Sequence, residues 1–111
     1  MNILYEDNHI IIVNKAAGEI VQGDKTGDKP LCDEVKAYIK EKYAKPGAVF
    51  LGIPHRLDRP VSGICVFART SKALTRLNDM FRKSEVKKTY HAIVGNCPKL
   101  PEAELVHYLT R

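Results

Sequence analysis

The apolar positions of the chain fall into short β-branched runs near the N-terminus and two stripes at helical spacing further on. Residues 3–6 and 9–15 are strand-like, the second built around Ile10-Ile11-Ile12-Val13, and Asp7-Asn8 between them is a turn signal, so the two form a hairpin. Asn14 to Gly18 turns the chain into Glu19-Ile20-Val21-Gln22, and Gly23 to Asp28 is a polar loop. Leu31, Val35, Tyr38, Ile39 and Tyr43 recur at helical spacing and predict an amphipathic helix over 30–43. Asp28 is placed to cap it, Pro30 to enter its first turn, and Lys45-Pro46-Gly47 to end it. Two apolar runs, 49–53 and 64–68, read as buried strands on either side of a polar loop. Thr70 or Ser71 caps a second helix, 71–84, with Ala73, Leu74, Leu77, Met80 and Phe81 as its buried stripe. Residues 87–95 read as a further strand with Tyr90, Ala92 and Val94 on one face, and 103–109 as another. The expected fold is α+β: a mainly antiparallel, mixed sheet with two packed helices.

Composition narrows the class without naming an activity. With 111 residues, 44% hydrophobic and 28% charged, the chain fits one soluble globular domain with a modest core. It holds no apolar run of membrane-spanning length, opens on no signal peptide, and shows no repeat or low-complexity stretch. Cys32, Cys65 and Cys97 have no CxxC spacing, which argues against a metal site or a disulfide framework and fits a reducing cytoplasm.

The distribution of charge says more than its total of +5. Residues 1–54 carry net −1, residues 55–91 net +6, and residues 92–111 net zero. A localised basic face is the electrostatic footprint of a phosphate-backbone partner. On the second helix Lys72, Arg76 and Lys83 lie opposite the apolar stripe, where they either follow such a backbone or form an ordinary solvated face.

The densest group of chemically capable side chains is His55, Arg56, Asp58, Arg59 and Ser62, in a loop punctuated by Pro54, Pro60 and Gly63. Arg56 and Arg59 stand within two positions of Asp58 and favour its charged form. An immobilised carboxylate of this kind acts as a nucleophile or stabilises a developing cation. An Arg–Asp ion pair stitching the turn fits the same spacing. His55 and Ser62 lack the third group that a serine nucleophile needs.

His55-Arg56-Leu57-Asp58 followed by Ser62-Gly63 resembles the HRLDxxTSG motif of the RluA-type pseudouridine synthases, departing from it at Val61, where the family has Thr. Lys88, Tyr90, Ala92, Val94 and Gly95 resemble the family's second motif. Lys15 and Gly18 match its Lys-Pro-x-Gly turn, with Ala16 in place of the Pro and Gln22 where a His is common. Lys15 reads equally as a solvated turn residue and as an active-site one. The resemblance implies isomerisation of uridine to pseudouridine in ribosomal or transfer RNA, with no metal or organic cofactor. It implies Asp58 as the essential carboxylate, by addition to C6, attack on C1′ or removal of the 2′ proton. Tyr90 would pack on the base and assist loss of the C5 proton. Arg56 would fill the space of a flipped uridine, His55 would fix the loop, and Arg59, Lys72, Arg76 and Lys83 would meet RNA.

The family's pattern continues to a third motif that this sequence does not match, and the chain shows no S4 RNA-binding domain. The sequence therefore resembles the first half of a larger catalytic domain. The expectation is that these residues alone do not turn over RNA and self-associate through an incomplete core. The alternative is a non-catalytic RNA-binding or assembly module of the same fold.

Overall fold

The computed structural model describes residues 1–110. Its elements are β1 (Asn2–Glu6), β2 (Ile10–Lys15), α1 (Leu31–Lys42), β3 (Gly63–Ala68) and α2 (Ser71–Arg82). The strands form one antiparallel sheet in the order β1-β2-β3, so the α+β expectation holds. The hairpin between β1 and β2 closes as its sequence predicts. The Asp7 carboxylate accepts the backbone N–H groups of His9 (2.7 Å) and Ile10 (2.9 Å), which fixes the turn without glycine.

One face of the sheet carries the core. Across β2 and β3 the pairs Ile11–Phe67 and Val13–Cys65 are fully buried, and α1 lays Leu31, Val35 and Ile39 against them. Each large side chain buried this way contributes about 1.5–3 kcal/mol. The next pair in the register is Lys15 opposite Gly63.

α1 begins one residue later than expected and is not capped by Asp28. Its first N–H groups are taken by main chain: Leu31 donates to the Ile20 carbonyl (2.7 Å) and Cys32 to that of Val21 (3.0 Å). A cap from Asp28 has no free donor to serve, and that carboxylate pairs with Arg59 instead (3.1 Å). α2 is capped as predicted, with the Thr70 hydroxyl accepting from the Ala73 N–H (3.1 Å). Its apolar stripe is covered less than expected: Ala73 is buried, Leu74, Leu77 and Phe81 are half-buried, and Met80 is exposed.

Three expected strands are not formed. Residues 49–53 contribute a single bridge, in which Gly52 and Ala68 exchange both hydrogen bonds (2.8 and 2.9 Å). Residues 87–95 and 103–109 lie outside any helix or strand, with Tyr90 at 64% exposure and Ile93 fully exposed. Alternating apolar residues make a strand only where a neighbouring edge offers N–H and C=O groups. The free edge of β3 is already used: Ala68 pairs with Gly52, and the Val66 N–H donates to the His55 imidazole.

Candidate active site

The loop from Pro54 to Ser62 is held from three sides. The first hold comes from His55, whose Nε2 accepts the Val66 N–H at 3.0 Å while its ring stacks on Phe81 with centroids 4.8 Å apart. An imidazole accepting at Nε2 is neutral there, and burial, with a smaller contribution from Lys88, pushes its pKa below the ordinary histidine value. These contacts tie His55 to β3 and α2.

Arg59 supplies the second hold, and its guanidinium is engaged by groups other than Asp58. Its guanidinium meets Asp28 (3.1 Å), Asp24 (3.4 Å), the Thr26 hydroxyl (3.1 Å) and the Gly18 carbonyl (3.2 Å), while the Gly18 N–H donates to the Arg59 carbonyl (2.7 Å). Gly18 has φ +93°, a left-handed conformation that favours glycine, so the close approach of the two loops is written into that position. The Arg–Asp stitch allowed by the spacing thus exists, but it joins Arg59 to the 18–28 loop. Among the described residues no ion pair includes Asp58.

The third hold is Lys15. It is 1% exposed, and its ammonium donates to the carbonyls of Ala16 (3.0 Å), Arg59 (3.1 Å) and Val61. It is neither a solvated turn residue nor one that faces the cleft. The inward alternation of Ile11, Val13 and Lys15 along β2 was the sequence signal for this.

Between the 18–28 loop and the Pro54–Ser62 loop lies an open cleft of about 460 Å³. Gln22, Gly23 and Asp24 line one wall, and Arg56, Asp58 and Arg59 the other. Asp58 is exposed, and a turn fixes its backbone, with the Val61 N–H donating to the Asp58 carbonyl at 3.0 Å. Arg56 is exposed and reaches the Gln22 side-chain oxygen at 3.5 Å, the limit of hydrogen-bond distance. Gln22 thus stands across the cleft from Arg56, a placement its sequence position did not announce.

The other predicted residues are more scattered. Lys72, Arg76 and Lys83 are exposed on α2 and its C-terminal cap. Tyr90 is not among the residues lining the cleft. The approach of Lys88 to the Phe81 ring (5.5 Å) brings the start of its segment to the end of α2. Among the described residues no cluster of His, Cys, Asp and Glu is arranged to hold a metal ion, and no helix is long and apolar enough to cross a membrane.

The fold agrees with comparison to known proteins. The family described as RNA pseudouridylate synthase matches residues 9–111, and the chain belongs to that family. Ribosomal large subunit pseudouridine synthase C of Vibrio parahaemolyticus is 38% identical over 92 residues, covering 83% of this chain and 27% of that protein. The Escherichia coli (strain K12) protein of the same name is 36% identical over the same shares. The chain thus spans about a quarter of the length of these curated relatives. A solved structure, Human RNA Pseudouridylate Synthase Domain Containing 4, superposes with a TM-score of 0.64 over 76% of this chain and 30% of its own, and at 24% identity it speaks for the fold.

Proposed function

We propose that these residues carry the reactive carboxylate of an RNA pseudouridine synthase that acts on a uridine of ribosomal RNA in the cytoplasm. The observation that carries the reading is Asp58 itself. Two arginines flank it in sequence, yet its carboxylate stands exposed, with no ion pair among the described residues, on the rim of a cleft and on a turn held by contacts behind it. What sets Asp58 apart from the other exposed carboxylates is its place on a fixed turn that lines the cleft beside Arg56, where it can meet a substrate.

Isomerisation of uridine breaks the bond between N1 and C1′ and joins C5 to C1′. The nucleotide must leave its stack for a carboxylate to reach it. Arg56, exposed beside Asp58, is the planar cation at hand to occupy the vacated place. Lys72, Arg76 and Lys83 supply phosphate contacts along α2, and the names of the relatives favour ribosomal over transfer RNA as substrate. Arg59 contributes through the 18–28 loop, because its guanidinium is engaged by Asp24 and Asp28. Tyr90 joins the site when its segment folds over the cleft.

The test is Asp58→Asn in the full-length protein, with RNA binding and pseudouridine formation measured side by side. Binding should persist within a few-fold while product disappears, because shape is kept and only the charge and nucleophilicity are lost. Product formation near the wild-type rate excludes Asp58. For the 111-residue chain alone a second reading is favoured by the exposure of Tyr90 and the open cleft: it binds RNA without converting it.

A further inference from the structure

At the end of the sheet away from Asp58 lies a second hollow, of about 370 Å³. The run of β2 from Ile10 to Lys15 separates it from the cleft, about 17 Å at the rise of an extended strand. Its lining is apolar at Ile39, Val49 and Phe50, and Asn8, Lys45 and Arg69 bring polar and positive groups to it. Phe50 is left 47% exposed. The walls are fixed. The Lys45 N–H donates to the Lys40 carbonyl (3.1 Å) and the Lys40 ammonium to the Gly47 carbonyl (2.8 Å), which holds the chain after α1. The exchange of hydrogen bonds between Gly52 and Ala68 holds the chain that follows Phe50. The Arg69 guanidinium lies 4.3 Å from the centroid of the Tyr43 ring and donates to the Asp7 carbonyl.

The positive charge at this end is open to a partner. Glu6 is taken by Lys42 and Tyr38, and the Asp7 carboxylate by Tyr5 and the N–H groups of its turn. Among the described residues neither Lys45 nor Arg69 forms an ion pair. Two cations beside an exposed aromatic ring match the two parts of a nucleotide, an anion and a flat π-face. α2 joins this hollow to the reaction cleft. Thr70, which caps α2, lines the hollow, and Phe81 in its last turn stacks on His55 of the Asp58 loop. Between these ends Lys72, Arg76 and Lys83 are exposed and spaced to share one stripe. We propose that the hollow takes an unpaired nucleotide of the same RNA, flanking the target uridine, with its base on Phe50 and its phosphate on Lys45 and Arg69. The backbone between the two nucleotides follows α2. A flanking nucleotide held there sets the register of the strand, and so which uridine comes to Asp58. The inference rests on the reading of the chain as part of an RNA pseudouridine synthase given above.

The experiment uses the full-length protein and, as probe, an oligouridylate of about ten nucleotides carrying 4-thiouridine. Irradiation should cross-link it to the peptide that holds Phe50 as well as to the cleft. Phe50→Ala should raise its Kd by about tenfold, as loss of one base–aromatic stack does, and Phe50→Tyr, which keeps a ring, should stay within about twofold of wild type. Lys45→Ala should lower the slope of log Kd against log salt by roughly 0.7, the share of one phosphate contact on a single strand. Should Phe50→Ala fail to fold, the wild-type cross-link and the Lys45→Ala slope decide. Cross-links confined to the cleft and α2, or a Kd unchanged in folded Phe50→Ala, overturn the inference. So does a Phe50→Tyr variant as weak as Phe50→Ala, which makes the ring a packing residue only. None of these readouts needs turnover, so loss of the Asp58 reading leaves them standing. A wild-type protein that does not bind the oligouridylate at all is a separate failure, which removes the RNA reading and this inference with it.

Discussion

The loop around Asp58 and the segment around Tyr90 match their sequence motifs comparably, but they are held by different means. Lys15, Arg59 and His55 each hold the first through polar contacts, which end on main-chain groups, carboxylates or the Thr26 hydroxyl within these residues. The second has an alternating pattern but pairs with no strand among the described residues, and on the β3 side Gly52 and His55 already engage the edge. Tyr90 is exposed. A motif that brings its own clamps folds with the sheet beside it, whereas a strand motif waits for a partner strand.

The largest expected effect follows directly from that difference. The 111-residue chain should release tritium from C5-labelled uridine in RNA at least about a thousandfold more slowly than the full-length protein, because an open cleft neither orients the base nor excludes water. Comparable rates would mean that Tyr90 closes over the substrate by itself, and the contrast between the two regions would fall.

His55→Ala removes the acceptor for the Val66 N–H and the stack on Phe81. It should cost about 1–3 kcal/mol in thermal or denaturant unfolding. The same residue predicts a pH dependence. Because burial lowers its folded pKa below the ordinary 6.5, its contribution to stability is fully present above that value and is lost as pH falls below it toward the folded pKa. A Tm that keeps the same slope between pH 7 and 5 in wild type and His55→Ala would contradict this.

Replacing Lys72, Arg76 and Lys83 together by Ala should flatten the dependence of log Kd on log salt by roughly 2, as fewer counterions are released. An unchanged slope marks the α2 face as merely solvated. The smallest effect belongs to Asp24→Asn with Asp28→Asn. Both carboxylates are well exposed, so the Tm should move less than in His55→Ala, while exchange at the Gly18 amide accelerates. A Tm loss equal to that of His55→Ala would give the 18–28 loop a larger share of the fold than its contacts suggest.

Local pattern carried much of this structure. The hairpin turn at Asp7, the span of α1, the Thr70 cap of α2 and the loop around Asp58 were all legible, because each depends on neighbours in sequence. What the sequence did not show depends on contacts made at a distance. Asp28 looks like a helix cap until the Ile20 and Val21 carbonyls take the donors it would serve. Arg59 looks like a partner of Asp58 until Asp24 and Asp28 claim it across more than thirty residues. Lys15 was legible in part, since it continues the inward alternation of Ile11 and Val13, but two of its three acceptors lie more than forty residues away. The strand pattern at 87–95 shows the converse, a local preference that no strand pairing in this structure takes up.

The central claim is that the Asp58 loop is built by contacts within these residues and the Tyr90 segment is not. Residue-resolved amide hydrogen exchange on the 111-residue chain tests it most directly. Gly18, Val61 and Val66, whose N–H groups go to Arg59, Asp58 and His55, should be protected to nearly the level of the β2–β3 ladder, while Tyr90, His91 and Ile93 exchange at rates close to those of an unfolded peptide. Free exchange at Gly18, Val61 and Val66, or strong protection at Tyr90 and its neighbours, would contradict it.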